Sequence, residues 1–163
     1  MHVIVLGIDP GTANTGYGVV TTSGQRLAAL DGGVIATDGR APLERRLVRI
    51  HAAVCDLIRE HAPQAVAIED LFFGTNARTA FSVGQARGAV MLAAGLCGVP
   101  AYSYTPQAVK QAVCGSGRAE KDQVQRMVQA LLALPDLPQP DHAADALAVA
   151  ICHANGAPLR AAV

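Results

Sequence analysis

The chain has 163 residues, half of them apolar, with equal numbers of acidic and basic side chains and a formal net charge of zero. That length predicts one domain, residues 1–163, able to bury a core without disulfide or metal staples; zero net charge argues, at first, against a nucleic-acid binder. The long apolar stretches carry charges or glycines, and residues 3–8 are too short for a signal segment or a membrane span. A cytoplasmic protein with no membrane contact is expected. Cys55, Cys97, Cys114 and Cys152 are far apart with no Cys-x-x-Cys pair, which predicts reduced, mostly buried thiols rather than disulfides or a zinc site.

In chain order, residues 3–8, 16–22 and 28–37 predict three strands, with Ser23-Gly24 marking a tight hairpin turn, hence an antiparallel meander. Asp9 closes the first apolar run. A carboxylate there needs a cation or donors to stay charged. Gly11, Gly16 and Gly18 let the backbone turn and suggest open space beside it for a bulky polyanion. The plainer alternative is a strand-end Asp that satisfies local amides.

Residues 42–61 carry Leu43, Leu47, Ile50, Val54, Leu57 and Ile58 at helical spacing, with Arg45, Arg46, Arg49 and Arg59 opposite, and Pro63 ends that helix. Residues 65–68 form a short strand closing on Glu69-Asp70. A loop with Phe72 and Phe73 leads to a helix over 77–96, apolar on all sides. It is expected either to be fully internal or, with Gly84-x-x-x-Gly88 allowing close approach, to form a two-fold homodimer. Residues 100–104 predict a fifth strand, and Thr105-Pro106 starts a helix through 113. Arg118 and Lys121 flank the Gly115-Ser-Gly117 loop. A further amphipathic helix follows, then a proline connector, and a last helix over about 141–153 with a frayed end.

Strands first in a meander and then alternating with helices give an α/β fold: one mixed five-stranded sheet flanked by helices. Residues 73–126 are net positive, whereas Asp9, Glu69, Asp70, Asp141 and Asp145 end apolar segments, the pattern of a metal pocket set in a basic surface. His142 and Asp145 are three apart and share a helix face; Asp141 and Asp145, four apart, also do, so spacing does not choose between Asp141 and His142. Asp141 also suits the helix N-cap, and Glu69 an arginine partner. Carboxylates with an imidazole and no thiolate suit Mg2+ or Mn2+, ions that bind together with substrate phosphates. In two-metal phosphodiester chemistry the ions lie about 4 Å apart and are bridged by an acid, a place that Asp9 fits.

Gly7-Ile-Asp-Pro-Gly-Thr-Ala-Asn-Thr-Gly-Tyr-Gly18, Ala67-Ile-Glu69, Asn76, Gly84-Gln-Ala-Arg-Gly88, Gln107-Ala-Val-Lys-Gln111, Ala119-Glu-Lys-Asp-Gln-Val-Gln125 and His142-Ala-Ala-Asp-Ala-Leu-Ala148 together resemble the RuvC family of bacterial Holliday-junction resolvases, over nearly the whole chain. The resemblance implies an RNase H-like fold, a homodimer and metal-dependent, paired symmetric nicking of a four-way DNA junction. It also implies two Mg2+ or Mn2+ ions per site, 5′-phosphate and 3′-hydroxyl ends, a role in recombination and repair, and a branch-migration helicase as partner.

Matched residue by residue, the resemblance gives Asp9, Glu69 and Asp145 as catalytic metal ligands. Many members carry Asp where this chain has His142, and a His form of the family exists, so His142 rather than Asp141 is the expected fourth ligand. Lys110 and Lys121 match positions near the scissile phosphate, and Phe72 an aromatic that stacks on an unpaired base. Arg78, Arg87 and Arg118 join Lys110 and Lys121 as candidate DNA contacts, Arg87 also suiting an interface. Two rivals are a nucleotide-binding lobe of the actin and sugar-kinase type, which normally comes paired with a second lobe, and a catalytically silent junction-binding scaffold.

Overall fold

The computed structural model describes residues 2–70 and 76–160. Three strands, β1 (His2–Asp9), β2 (Asn14–Ser23) and β3 (Arg26–Ala36), form the expected antiparallel meander. Helix α1 (Leu43–His61) leads to β4 (Ala65–Glu69), and α2 (Ala77–Leu96) leads to β5 (Ala101–Tyr104); α3 (Pro106–Cys114), α4 (Lys121–Leu131) and α5 (Asp141–Arg160) follow. The five-stranded sheet has the order β3-β2-β1-β4-β5, with β4 parallel to both β1 and β5. Both β1 and β4 therefore deliver their last residues to the same edge of the sheet.

Alternation along the strands divides the core into two layers. Leu6, Ile8, Val19, Val66 and Ile68 pack with α1 and α2, whereas Val5, Val20 and Ala67 pack with α3, α4 and α5. In α1, Ile50 and Val54 are fully buried, each burial worth about 1.5–3 kcal/mol. Its arginines do more than face water: Arg46 Nε donates to Thr37 Oγ1 at 3.0 Å and Arg49 Nε to the Ala36 carbonyl at 2.7 Å, holding the end of β3.

Three expectations change. Helix α2 is not fully internal. Ala86, Val90, Ala93 and Ala94 are buried, but Phe81 and Leu96 are each 70% exposed and Leu92 57%. Helix α5 runs on to Arg160 instead of stopping near residue 153, so the Asn155-Gly156 pair does not break it. The glycines beside Asp9 do not leave room for a polyanion. A Cβ on Gly16 would lie 1.9 Å from the His142 carbonyl oxygen, and one on Gly18 2.7 Å from the Leu147 side chain; α5 fills that space. Gly11 keeps its expected role: an added Cβ would strike the Asn14 carbonyl across the turn at 2.4 Å.

Candidate metal centre

The face that carries Val5 also carries Gly7 and Asp9, two and four residues on. Gly7 has no side chain where α5 crosses: a Cβ there would lie 2.0 Å from the Ala146 carbonyl and 2.9 Å from Ala150. The helix backbone can thus settle directly on the strand. On β4 the same alternation puts Glu69 on the face of Ala67, and α5 turns Asp145 towards both acids. One oxygen each from Asp9, Glu69 and Asp145 can be chosen so that all lie within 4.8 Å of one another.

The turn after Asp9 is held rigidly. Thr15 is fully buried; its hydroxyl donates to the Gly11 carbonyl at 2.6 Å and accepts the Gly11 N–H at 3.3 Å. Thr12 Oγ1 meets Ser82 Oγ at 2.7 Å, tying the turn to α2, and Thr37 N–H donates to the Ala13 carbonyl at 3.0 Å. Sequence reasoning passed over Thr12, Thr15 and Ser82. Thr12 and Thr15, hydroxyls between Gly11 and Gly16, carried a local signal, and Ser82 none.

Three carboxyls in one small space repel one another, and burial deepens the cost. Burial first, then the Asp9 and Asp145 charges and a hydrogen bond with Asp9, push the Glu69 carboxyl up to about 8, with Lys110 opposing. Burial and then Asp9 push Asp145 up to about 6, opposed by Lys121 and His142. A divalent cation relieves this repulsion, and hard oxygen donors from three carboxylates fit one. Asp9, Glu69 and Asp145 can hold such an ion.

His142 Nδ1 lies 3.1 Å from Asp9 Oδ2. It stands at the rim, outside the group of three whose donor atoms all fall within 4.8 Å. Asp141 is turned away: its Oδ2 lies 3.1 Å from Lys121 Nζ, and its Oδ1 accepts from Gln125 Nε2 at 3.0 Å. Those bonds hold the Asp141 carboxyl below its ordinary range, Lys121 first, and the same bond raises the Lys121 ammonium. The structure thus separates the two candidates that spacing left equal. Glu69 has no arginine beside it among the described residues; Arg87 instead places Nε 3.5 Å from Asp70 Oδ1 and donates to Ser103 Oγ.

One cleft opens on the acids and another on His142. The first, of about 450 Å3, is lined by Glu69, Gln107, Lys110, Gly117, Lys121 and Asp145, so both expected lysines face the carboxylates. The other, of about 350 Å3, is lined by Thr12, Asn14, Arg78, Ser82 and His142. Arg118, whose N–H donates to Ser116 Oγ at 3.3 Å, belongs to the loop beside the first cleft. Phe72 and Phe73 lie outside the described residues. A second group, Asp31, Glu60 and His61, also brings its donor atoms within 4.8 Å, and His61 Nε2 lies 2.9 Å from Asp31 Oδ2. No helix among the described residues is long and apolar enough to cross a membrane.

Comparison with known proteins places the chain in a family. The family described as crossover junction endodeoxyribonuclease RuvC matches residues 5–153. A crossover junction endodeoxyribonuclease RuvC of Desulfitobacterium hafniense is 52% identical over 153 residues, covering 94% of this chain and 93% of that protein. Its counterpart in Rubrobacter xylanophilus is 55% identical over 151 residues, covering 93% and 84%. The solved structure of Thermus thermophilus RuvC in complex with a Holliday junction substrate superposes with a TM-score of 0.92 at 43% identity, covering 97% of this chain and 96% of that one. The fold is RNase H-like, as the resemblance implied. Three carboxylates gathered on α5, β1 and β4, in a chain matched from end to end of its core, make this protein a member of the RuvC family of crossover junction endodeoxyribonucleases.

Proposed function

We propose that this protein resolves four-way DNA junctions as a homodimer, each protomer nicking one of two symmetric strands and leaving 5′-phosphate and 3′-hydroxyl ends. The observation that carries the reading is the convergence of Asp9, Glu69 and Asp145 within 4.8 Å at the ends of β1 and β4. Asp9, Glu69, Asp145 and His142 would hold two Mg2+ or Mn2+ ions, which supply Lewis-acid stabilisation of charge on the phosphate oxygens. The chain's own residues do the rest. Lys110 and Lys121, facing the acids across the first cleft, neutralise charge building on the scissile phosphate. Arg78 beside His142 meets the strand on the other flank, and Arg118 meets it beyond the loop. Phe72 is assigned to base stacking by the family resemblance.

Dimerisation runs through α2, where Phe81, Leu92 and Leu96 expose apolar surface and a groove opens between α1 and α2. Arg87, held by Asp70 and Ser103, stiffens the inner side of that helix. The family resemblance assigns a branch-migration helicase partner and a role in recombination and repair, and a cytoplasmic location is inferred with them. Incubating the protein with a synthetic mobile four-way junction and Mg2+ or Mn2+, then mapping the nicks on all four strands, tests the reading. Two nicks at symmetric positions are expected; nicks scattered over linear duplex would refute it.

A further inference from the structure

Cys55 in α1 and Cys97, the cap residue after α2, stand 42 positions apart, yet their sulfurs are 3.8 Å from each other. Cys55 is 5% exposed, whereas Cys97 is half-buried. One turn before Cys55, His51 places Nε2 3.8 Å and Nδ1 4.0 Å from the Cys55 sulfur. The imidazole also lines the groove between α1 and α2. These contacts form a line from a base through a buried thiol to a half-buried one, and nothing in the nuclease chemistry uses them.

We propose that Cys55 and Cys97 are a redox modification site, oxidised by hydrogen peroxide to a reversible disulfide that staples α1 to the end of α2. The more exposed Cys97 reacts first. Its sulfur attacks one peroxide oxygen: an S–O bond forms, the O–O bond breaks, and Cys97 becomes a sulfenic acid while the other oxygen leaves as hydroxide and takes up the Cys97 thiol proton to become water. Burial, then the contact with Cys97, raises the Cys55 thiol above its ordinary range, so Cys55 suits the slower, resolving step. Its sulfur attacks the Cys97 sulfur, forming S–S and breaking S–O. The Cys55 proton passes to His51 and on to the departing hydroxide, which leaves as a second water. Two thiols and one peroxide become one disulfide and two waters. A disulfide of this kind in an intracellular protein is expected to be transient and sensory rather than structural.

The consequence falls on α2. That helix meets the catalytic turn through Ser82 and Thr12 at its start and the thiol pair at its end. A covalent link would fix its position against α1.

The test uses the full-length reduced protein treated with hydrogen peroxide, then alkylated under denaturing conditions and weighed intact. The expected product has lost two hydrogens, keeps two alkylatable cysteines, and yields a joined peptide pair containing Cys55 and Cys97. Dithiothreitol should restore all four thiols. His51→Ala should leave sulfenic acid formation at Cys97 unchanged, read by a sulfenate-trapping probe, and slow its conversion to disulfide about tenfold or more. Because Cys55→Ala could fail to fold, peptide mapping of the unmodified chain decides the question by itself. Oxidation of Cys97 to sulfinic acid with Cys55 still alkylatable, a disulfide involving Cys114 or Cys152, or four thiols untouched by peroxide would each overturn the proposal.

Discussion

Asp9 and Glu69 leave neighbouring parallel strands side by side, one residue past the last ladder pair, Ile8 with Ile68. Main-chain hydrogen bonding, not any preference of the carboxyls, brings them together, and α5 then closes Asp145 over both. The fold holds a repulsion that its own residues do not cancel, the arrangement expected of a site that waits for a cation.

The first prediction follows from Glu69. Its folded pKa, about 8, lies above the ordinary 4.5, so the folded chain binds a proton that the unfolded chain has released between those values. The stabilising contribution is complete below 4.5 and is lost as pH rises through about 8. Asp145, raised to about 6, adds to the same trend at its lower end. With metal removed by a chelator, the unfolding free energy from denaturant melts should fall over this interval by on the order of a few kcal/mol, and Glu69→Gln should flatten the decline. A stability that climbs with pH across the interval would contradict the geometry.

Metal binding should expel that proton. Near about pH 7, Mn2+ titrated calorimetrically in buffers of different ionisation enthalpy should release roughly one proton per site in the unmodified chain, and clearly less in Glu69→Gln. Equal release from both would move the proton to another group.

His142 stands 3.1 Å from Asp9, where the family often has a carboxylate. An imidazole, softer than a carboxylate, should favour Mn2+ over Mg2+. Junction nicking should be faster with Mn2+, His142→Asp should shift the preference towards Mg2+, and His142→Ala should lower the rate roughly 10- to 100-fold. Equal rates with both ions, or faster cutting with Mg2+, would refute this assignment.

Gly16→Ala probes how closely α5 must approach. The new Cβ would sit 1.9 Å from the His142 carbonyl oxygen and 2.4 Å from its carbon, main-chain atoms that no rotamer can move. Thermal denaturation should show a loss of about 1–3 kcal/mol or more, with nicking reduced even at temperatures where the variant is fully folded. Gly39→Ala, which meets no atom within 4 Å, should be silent in both assays. A silent Gly16→Ala would mean that α5 is not seated on β2 as described.

Much of this was readable from residue order because the relevant patterns are local. An apolar run ending in an acid marked both Asp9 and Glu69, and alternation fixed the face on which each lies. The bounds of α2, and the cap made by Thr105, whose hydroxyl accepts the Ala108 N–H at 3.1 Å, depend on neighbours in the chain. What was not readable depends on approach from afar. Gly16 and Gly18 of β2 looked like space for substrate, yet they are the seat of α5. Asp141 and His142 were indistinguishable by helical spacing until the start of α4 supplied Lys121 and Gln125 to take Asp141. Likewise, the contact of Cys55 with Cys97 joins two helices whose sequences give no sign of each other.

Single-turnover cutting of a four-way junction by the unmodified chain and by Asp9→Asn, with binding of the same junction measured alongside, puts the role of the three acids to the most direct test. Asp9→Asn is expected to bind the junction as tightly as the unmodified chain and to lose cutting about 100-fold or more with either metal. Cutting by Asp9→Asn within a few-fold of the unmodified chain would contradict a reaction centred on Asp9, Glu69 and Asp145.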